Sequence, residues 1–325
     1  MSSVTVSTGE SALVADRASD GVVAAGPAGG PAGDRRRRLL RKLTPWLYLL
    51  IPLALLITLV YVPAANLFWY STTNWDGHAL EKSYVGLDNY VRIFTDPKYL
   101  SVFVVSLYYI GASFVQIGLA LYFATVLSFK TRFREFFKGV LFFPYLINGV
   151  AVAFVFLYLY KPDGTLDSLL AQFGVTDPPL WLGDPHLANF SLAAVSVWRF
   201  LGLNFVLFLG AIQSIPSELY EAADLDGANN WHKFRYIIAP GIKRIISLSF
   251  VLAIAGSLSA FDVPYIMLQG ANGTATFVIQ TVQIGFGSLH KVGLASAMAA
   301  VLLVVVLVVT WVQRRVVPDE DVSLT

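Results

Sequence analysis

The chain is 325 residues long, 56% hydrophobic and only 14% charged, with a mean hydropathy of +0.64. Soluble domains run at ~45–50% apolar and ~25% charged, and here the apolar residues fall in long blocks rather than amphipathic periods, which predicts a polytopic membrane protein. With no cysteine there is no disulfide framework, and a net charge of +2 is too small to suggest nucleic acid.

In chain order, residues 1–44 form a polar tail, rich in Gly, Ala, Ser and Pro and closing on the basic run Arg35, Arg36, Arg37, Arg38, Arg41 and Lys42. The tail reads as disordered, and a long polar stretch ahead of the first apolar block argues against a signal peptide. A helix needs ~20 apolar residues to cross the hydrocarbon core. Six blocks reach that length: residues 45–70, 100–129, 137–160, 190–213, 245–268 and 292–313. Unpaired backbone polar groups are too costly in lipid, so the blocks predict helices and an all-α fold. Continuous runs without outward–inward alternation exclude a β-barrel. Pro52 and Pro63 predict a kink or local break in the first span. The chain thus divides into the tail, a first span with its outer loop over 45–99, a core over 100–313 with a polar loop at 214–243, and a tail over 314–325.

Lys and Arg orient the spans. One side receives Arg17 and the tail cations, then Lys130, Arg132, Arg134 and Lys138, then Lys233, Arg235, Lys243 and Arg244, then Arg314 and Arg315. The other side has Lys82, Arg92, Lys98 and Lys161, with Lys291 at a span edge. The positive-inside rule puts both termini in the cytoplasm, and an even number of spans agrees.

The loop between the fourth and fifth spans predicts two short helices joined by a bend. Ser214 is placed to cap the first, and Pro216 suits an early helical position. Leu219, Ala222 and Ala223 share a face, Asp226-Gly227 is a turn signal, and Gly227 can take the left-handed conformation that ends a helix. Asn230 caps a second helix with an apolar face of Trp231, Phe234 and Ile237 or Ile238, limited by Pro240. Helices this short need something packed on them. The residues alone leave open whether that is a partner's groove, the chain's own bundle or the lipid surface.

Glu221-Ala222-Ala223, Gly227, Ile237 and Pro240, with Ala239 where leucine is usual, resemble the EAA loop of ABC importer permeases. Gly86-Leu87-Asp88-Asn89-Tyr90, Phe143-Pro144-Tyr145, Gln213-Ser214-Ile215-Pro216, Phe261-Asp262 and the stretch Gly270 to Gly273 are similar to the maltose- and glycerol-phosphate-type sugar permeases, and the resemblance runs over residues 46–313. It implies the type I importer permease fold in a bacterial inner membrane. It also implies a homologous second permease, cytoplasmic ATP-binding subunits, an extracytoplasmic solute-binding protein and a sugar as substrate. In that family the EAA helix seats in a cleft of the ATPase, so Glu221 would contact it and Gly227 would permit the bend. The chain has no Gly-x-x-x-x-Gly-Lys-Ser/Thr phosphate loop, so ATP and magnesium are expected on the partner and no cofactor on this chain.

Ionisable residues inside spans are costly and usually face a cavity or each other. Arg199 in the fourth span and Asp262 in the fifth lie at similar depths, which allows an ion pair as well as a substrate role. The family's pocket maps by resemblance onto Tyr145 and Gly149, onto Arg199, Phe200 and Leu203, and onto Leu258 and Phe261. Asn148 and Asn204 are added as neighbouring amides. The outer loops carry Asp163, Asp167, Asp177 and Asp184 and would meet the solute-binding protein, with Gly270 to Gly273 a flexible contact. Gly293, Ala295 and Ala299 suit close helix packing in the last span.

An enzyme reading finds little. His78, His186, His232 and His290 are dispersed, and neither His-Glu-x-x-His nor Gly-x-Ser-x-Gly occurs. A secondary transporter using Arg199 and Asp262 is the rival; it has no need of the 214–243 loop. A signalling or scaffold protein leaves the buried charges without a purpose.

Overall fold

The computed structural model describes residues 46, 48–129, 133–287 and 290–316. The expected N-terminal tail, Lys130, Arg132 and the chain beyond residue 316 lie outside them. The chain divides into two units, Met1–Tyr61 and Val62–Thr325. Among the described residues the regular structure is helical, joined by loops and turns, apart from one isolated antiparallel bridge, Thr73 to Tyr84. An all-α membrane fold is what the hydropathy demanded.

In the first unit the chain is helical from residue 48 and closes in a π-turn, Ile57–Tyr61. That register shift falls between Pro52 and Pro63, whose missing N–H groups interrupt the regular ladder. The apolar helix Tyr48–Ser71 has 24 residues, enough to cross a bilayer.

The second unit opens with α1 (Val62–Ser71), followed by α2 (Asp88–Thr95) and the long α3 (Pro97–Ser128). Next come α4 (Arg134–Leu146), α5 (Gly149–Leu159), α6 (Thr165–Gln172) and α7 (Pro185–Gln213). After α8 (Ser217–Leu225), α9 starts at Asn230–Lys233 and runs on through a π-turn at Phe234–Ile238 to Ala239–Gly241. The described residues close with α10 (Lys243–Leu258), α11 (Asp262–Leu268), α12 (Phe277–Phe286) and α13 (Val292–Val316). Both α3 and α7 begin on an Asp-Pro pair: Asp96 and Asp184 cap by accepting from the N–H groups of Lys98 and His186, with proline at the first helical position. These caps start the two spans several residues before the apolar blocks do.

Among the described residues five helices are long and apolar enough to span a membrane, and a sixth span follows if the bent pair α4 and α5 is counted as one. The expected third block is therefore not continuous: α4 and α5 are bent by 98°. Pro144 sits inside the end of α4, Ile147 is extended, and Asn148 caps α5 by accepting from Val150 N at 2.8 Å. The fifth block is also interrupted, because Phe261 (φ −139°, ψ −58°) leaves helical geometry before α11 restarts at Asp262. The ten-residue apolar helix α12 is too short to span and buries Phe277, Ile279 and Ile284.

Helix α3 is the mast of this unit and enters three apolar clusters in turn. Tyr99 and Val102 pack with Phe277, Ile284 and Met298; Val105 and Tyr109 pack with Val152, Leu192 and Val263. Ile117, Ala120 and Ala124 pack with Phe205, Phe208, Ile238 and Ile242. Small residues set the closest approaches: a Cβ on Gly202 would lie 2.5 Å from the Leu141 carbonyl, and Gly293 abuts the backbone at Thr73. The Gly86–Tyr90 stretch is a fastening. Asn89 Nδ2 donates to the carbonyls of Ser71 and Thr73, both at 2.8 Å, and Tyr90 Oη meets Ser71 Oγ at 2.7 Å.

Candidate functional site

Two helix breaks meet at one ion pair. Arg199, midway along α7, places Nη1 3.9 Å from Asp262 Oδ2, which is an ion pair but too long for a hydrogen bond. Asp262 is the first residue of α11, where the helix N-terminus favours a carboxylate. Gly149, the first residue of α5, lies beneath the pair: a Cβ there would be 2.7 Å from Arg199 Nη1 and 2.9 Å from Asp262 Oδ2. A side chain at this position would push aside the ends of both Arg199 and Asp262. The Arg199 side chain is 16% exposed against 59% for Asp262. Its Nε is buried without a hydrogen-bond partner, and its guanidinium sits 5.0 Å from the Phe200 ring.

A cavity of about 280 Å³ opens beside the pair, lined in part by Arg199, Phe200, Leu203, Asn204, Phe261 and Asp262. The other sequence-named residues are not among those that line it. Tyr145 holds its ring 6.4 Å from that of Phe200, Asn148 is spent on capping α5, Gly149 supports the pair, and Leu258 is buried at the end of α10. Sequence reasoning missed a whole wall: Tyr109, Ser113 and Gln116 of α3 also line the cavity, with Ser196 and Ser257. The signal was present, since polar residues at i, i+4 and i+7 in an apolar block share one face. One cation, one anion, two amides and several hydroxyls suit an uncharged, hydrogen-bonding solute, and broken backbone at membrane depth is tolerated where it lines a cavity. Among the described residues no group of three or more His, Asp or Glu side chains is arranged for a metal.

The second locus is the 214–243 loop. Helix α8 ends at Gly227 (φ +74°), where Gly227 N donates to Asp224 O at 3.1 Å and Ala228 N to Ala223 O at 2.9 Å. Two caps differ from expectation. Ser214 terminates α7, donating to Ala211 O at 2.7 Å, and α8 starts after Pro216 without a side-chain cap. Asn229, not Asn230, caps α9 by accepting from His232 N at 2.9 Å; of two adjacent asparagines the one with extended backbone takes the role. Lys233 Nζ donates to Asp224 Oδ1 across the bend and ties the two helices together. Ile238 is fully buried with Ile242 against α3 and α7, while Ile237 is half-buried and Pro240 follows the π-turn. Burial pushes the Tyr220 phenol up and leaves its hydroxyl without a partner.

This anchored joint leaves apolar surface outside. Leu219 is 51%, Leu225 91% and Trp231 62% exposed. Glu221 and Ala222 are exposed, and a Cβ on Gly227 would meet nothing within 4 Å. On the far side of the spans, Asp167 accepts from Trp181 Nε1 at 2.8 Å and Asp184 caps α7, so both serve structure. The Gly270 to Gly273 stretch is tied rather than free: Asn272 Nδ2 donates to Leu182 O and Asn189 Nδ2 to Gly273 O.

The family described as "Binding-protein-dependent transport system inner membrane component" matches residues 116–321. The "Probable ABC transporter permease protein YurN" of Bacillus subtilis is 33% identical over 280 residues, covering 84% of this chain and 96% of that protein. The "Multiple sugar-binding transport system permease protein MsmF" of Streptococcus mutans is 30% identical over 284 residues, covering 86% and 97%. The fold is that of a chain in a crystal structure of a bacterial alginate ABC transporter in complex with alginate pentasaccharide-bound periplasmic protein. The TM-score is 0.75 at 20% identity, over 86% of this chain and 95% of that one.

Proposed function

The chain belongs to the binding-protein-dependent transport system inner membrane components, and from that premise we propose that it is the permease subunit of an ATP-driven importer for a carbohydrate. It forms half of the translocation pathway beside a homologous second permease. A solute-binding protein delivers the saccharide on the outer face, and both termini lie in the cytoplasm with the Lys- and Arg-rich loops. ATP and magnesium are held by a separate cytoplasmic subunit, as the chain lacks a phosphate loop.

The observation that carries this reading is the joint at 217–240. Its two helices are clamped by Lys233 and Asp224 and anchored through Ile238, yet present Leu219, Leu225 and Trp231 outward around an unobstructed Gly227. A short pinned element with an exposed apolar tip transmits rigid-body motion to α7 and α10 when a partner's groove holds the tip. The breaks at Asn148 and Phe261 give the pathway places to hinge. A carbohydrate suits the neutral sum of Arg199 and Asp262 with Asn204 beside them. The name of MsmF, a multiple sugar-binding transport system permease, supports the same class.

The test is uptake of labelled saccharides into proteoliposomes holding this chain with its companion permease, ATPase and binding protein. Uptake that requires internal ATP is the expected result. Uptake that persists without nucleotide and follows a proton gradient would return the secondary-transport reading of Arg199 and Asp262.

A further inference from the structure

Helix α3 supplies a wall of the cavity through Tyr109, Ser113 and Gln116. Two of these have local employment. Ser113 Oγ donates back to Ile110 O at 2.7 Å, and Gln116 Nε2 donates to Phe200 O at 3.1 Å, holding α3 against the helix that carries Arg199. Tyr109 is different. It is only 3% exposed, it lines the cavity, and its hydroxyl has no hydrogen-bond partner. Its backbone is held by α10: Ser257 Oγ donates to the Tyr109 carbonyl at 3.1 Å. The ring packs with Val105, Val152 and Val263.

A buried polar group without a partner is destabilising, and native structures keep few of them. Phenylalanine would fill the same space without that penalty. We propose that Tyr109 is a solute-contacting residue whose hydroxyl, closed to water here, turns to a hydroxyl of the saccharide when one fills the cavity. The second span thereby becomes a specificity-determining wall facing Arg199 and Asp262. A phenol donates and accepts and carries no charge, so it recognises an alcohol rather than a carboxylate or phosphate. This assignment deepens the carbohydrate reading and rests on it.

The complete transporter, purified with its companion permease and ATPase subunits, is assayed by equilibrium dialysis with radiolabelled maltose, raffinose and alginate trisaccharide, followed by deoxy analogues of whichever binds. Tyr109→Phe removes one oxygen and keeps the ring, so assembly holds and the melting temperature holds or rises. Kd for the bound saccharide rises about threefold to tenfold, the span of one lost neutral hydrogen bond. One deoxy analogue should lose as much on the native chain and nothing further on Tyr109→Phe, the mark of a direct pair. Tyr108→Phe is the control: its ring packs on Phe190 at 4.9 Å, outside this cavity, and Kd stays unchanged. An unaltered Kd for Tyr109→Phe, or strictly additive losses with every deoxy analogue, overturns the contact and leaves the carbohydrate reading intact. No binding of any of the three saccharides to the native transporter overturns that reading and the contact with it.

Discussion

Two interhelical ion pairs among the described residues are built in opposite ways. Lys233 and Asp224 lie nine residues apart, hydrogen-bond across the bend at Gly227, and tuck the ammonium away at 11% side-chain exposure. Arg199 and Asp262 come from different spans, stand 3.9 Å apart without a hydrogen bond, and lie over a glycine between two helix breaks. At the joint the charged groups are spent inside the element and stiffen it. At the cavity they are left short of partners, and so is Tyr109. Donors that the fold has not used are what a solute needs, and a clamp that ties two helices across a bend is what transmitted force needs.

The largest effect belongs to the joint. Gly227→Trp puts a bulky residue at φ +74°, a left-handed conformation costing ~1–2 kcal/mol, yet a Cβ there meets nothing within 4 Å of this chain. Membrane insertion and most of the stability should survive while ATP-driven uptake is abolished. Should the variant retain its ATPase on affinity purification and transport normally, the joint is not where coupling happens. Next comes Arg199→Ala. It leaves Asp262 59% exposed and hydrated, so assembly holds. Losing a charged donor at the cavity should lower uptake about tenfold. Unchanged uptake kinetics would make the pair a structural tie and erase the contrast with Lys233 and Asp224.

The sequence announced some of this and hid the rest for physical reasons. A bilayer imposes length and apolarity on a helix, so spans were readable; hydropathy averages over a break, so the bends at Asn148 and Phe261 were not, although Pro144 marked one of them. Arg199 and Asp262 stood out because charge is rare at that depth. The pairing of their depths was readable, whereas the clearance that Gly149 provides depends on three helices meeting. Tyr109, Ser113 and Gln116 escaped notice because hydropathy measures how far along a helix a residue lies and says nothing of which way it points. In the loop, Asp226-Gly227 fixed the bend, but two adjacent asparagines left the cap ambiguous by one residue. The Asp224–Lys233 clamp was invisible until the bend folded them together.

The smallest effect tests the clamp through an asymmetry. Asp224→Ala strands the Lys233 ammonium, whose side chain is 11% exposed, without its carboxylate. An unmatched buried donor costs ~1–3 kcal/mol. Lys233→Met leaves a carboxylate that is 62% exposed and readily hydrated, and methionine fills the channel of the lysine stem. An exposed charge losing its partner costs under ~1 kcal/mol. In thermal melts of the assembled transporter Asp224→Ala should therefore fall further than Lys233→Met, and both should lower solute moved per ATP hydrolysed as the joint loosens. If Lys233→Met is the more damaging of the two, the lysine works through something other than Asp224, and the stiffness of the joint comes from Ile238 and its apolar neighbours alone.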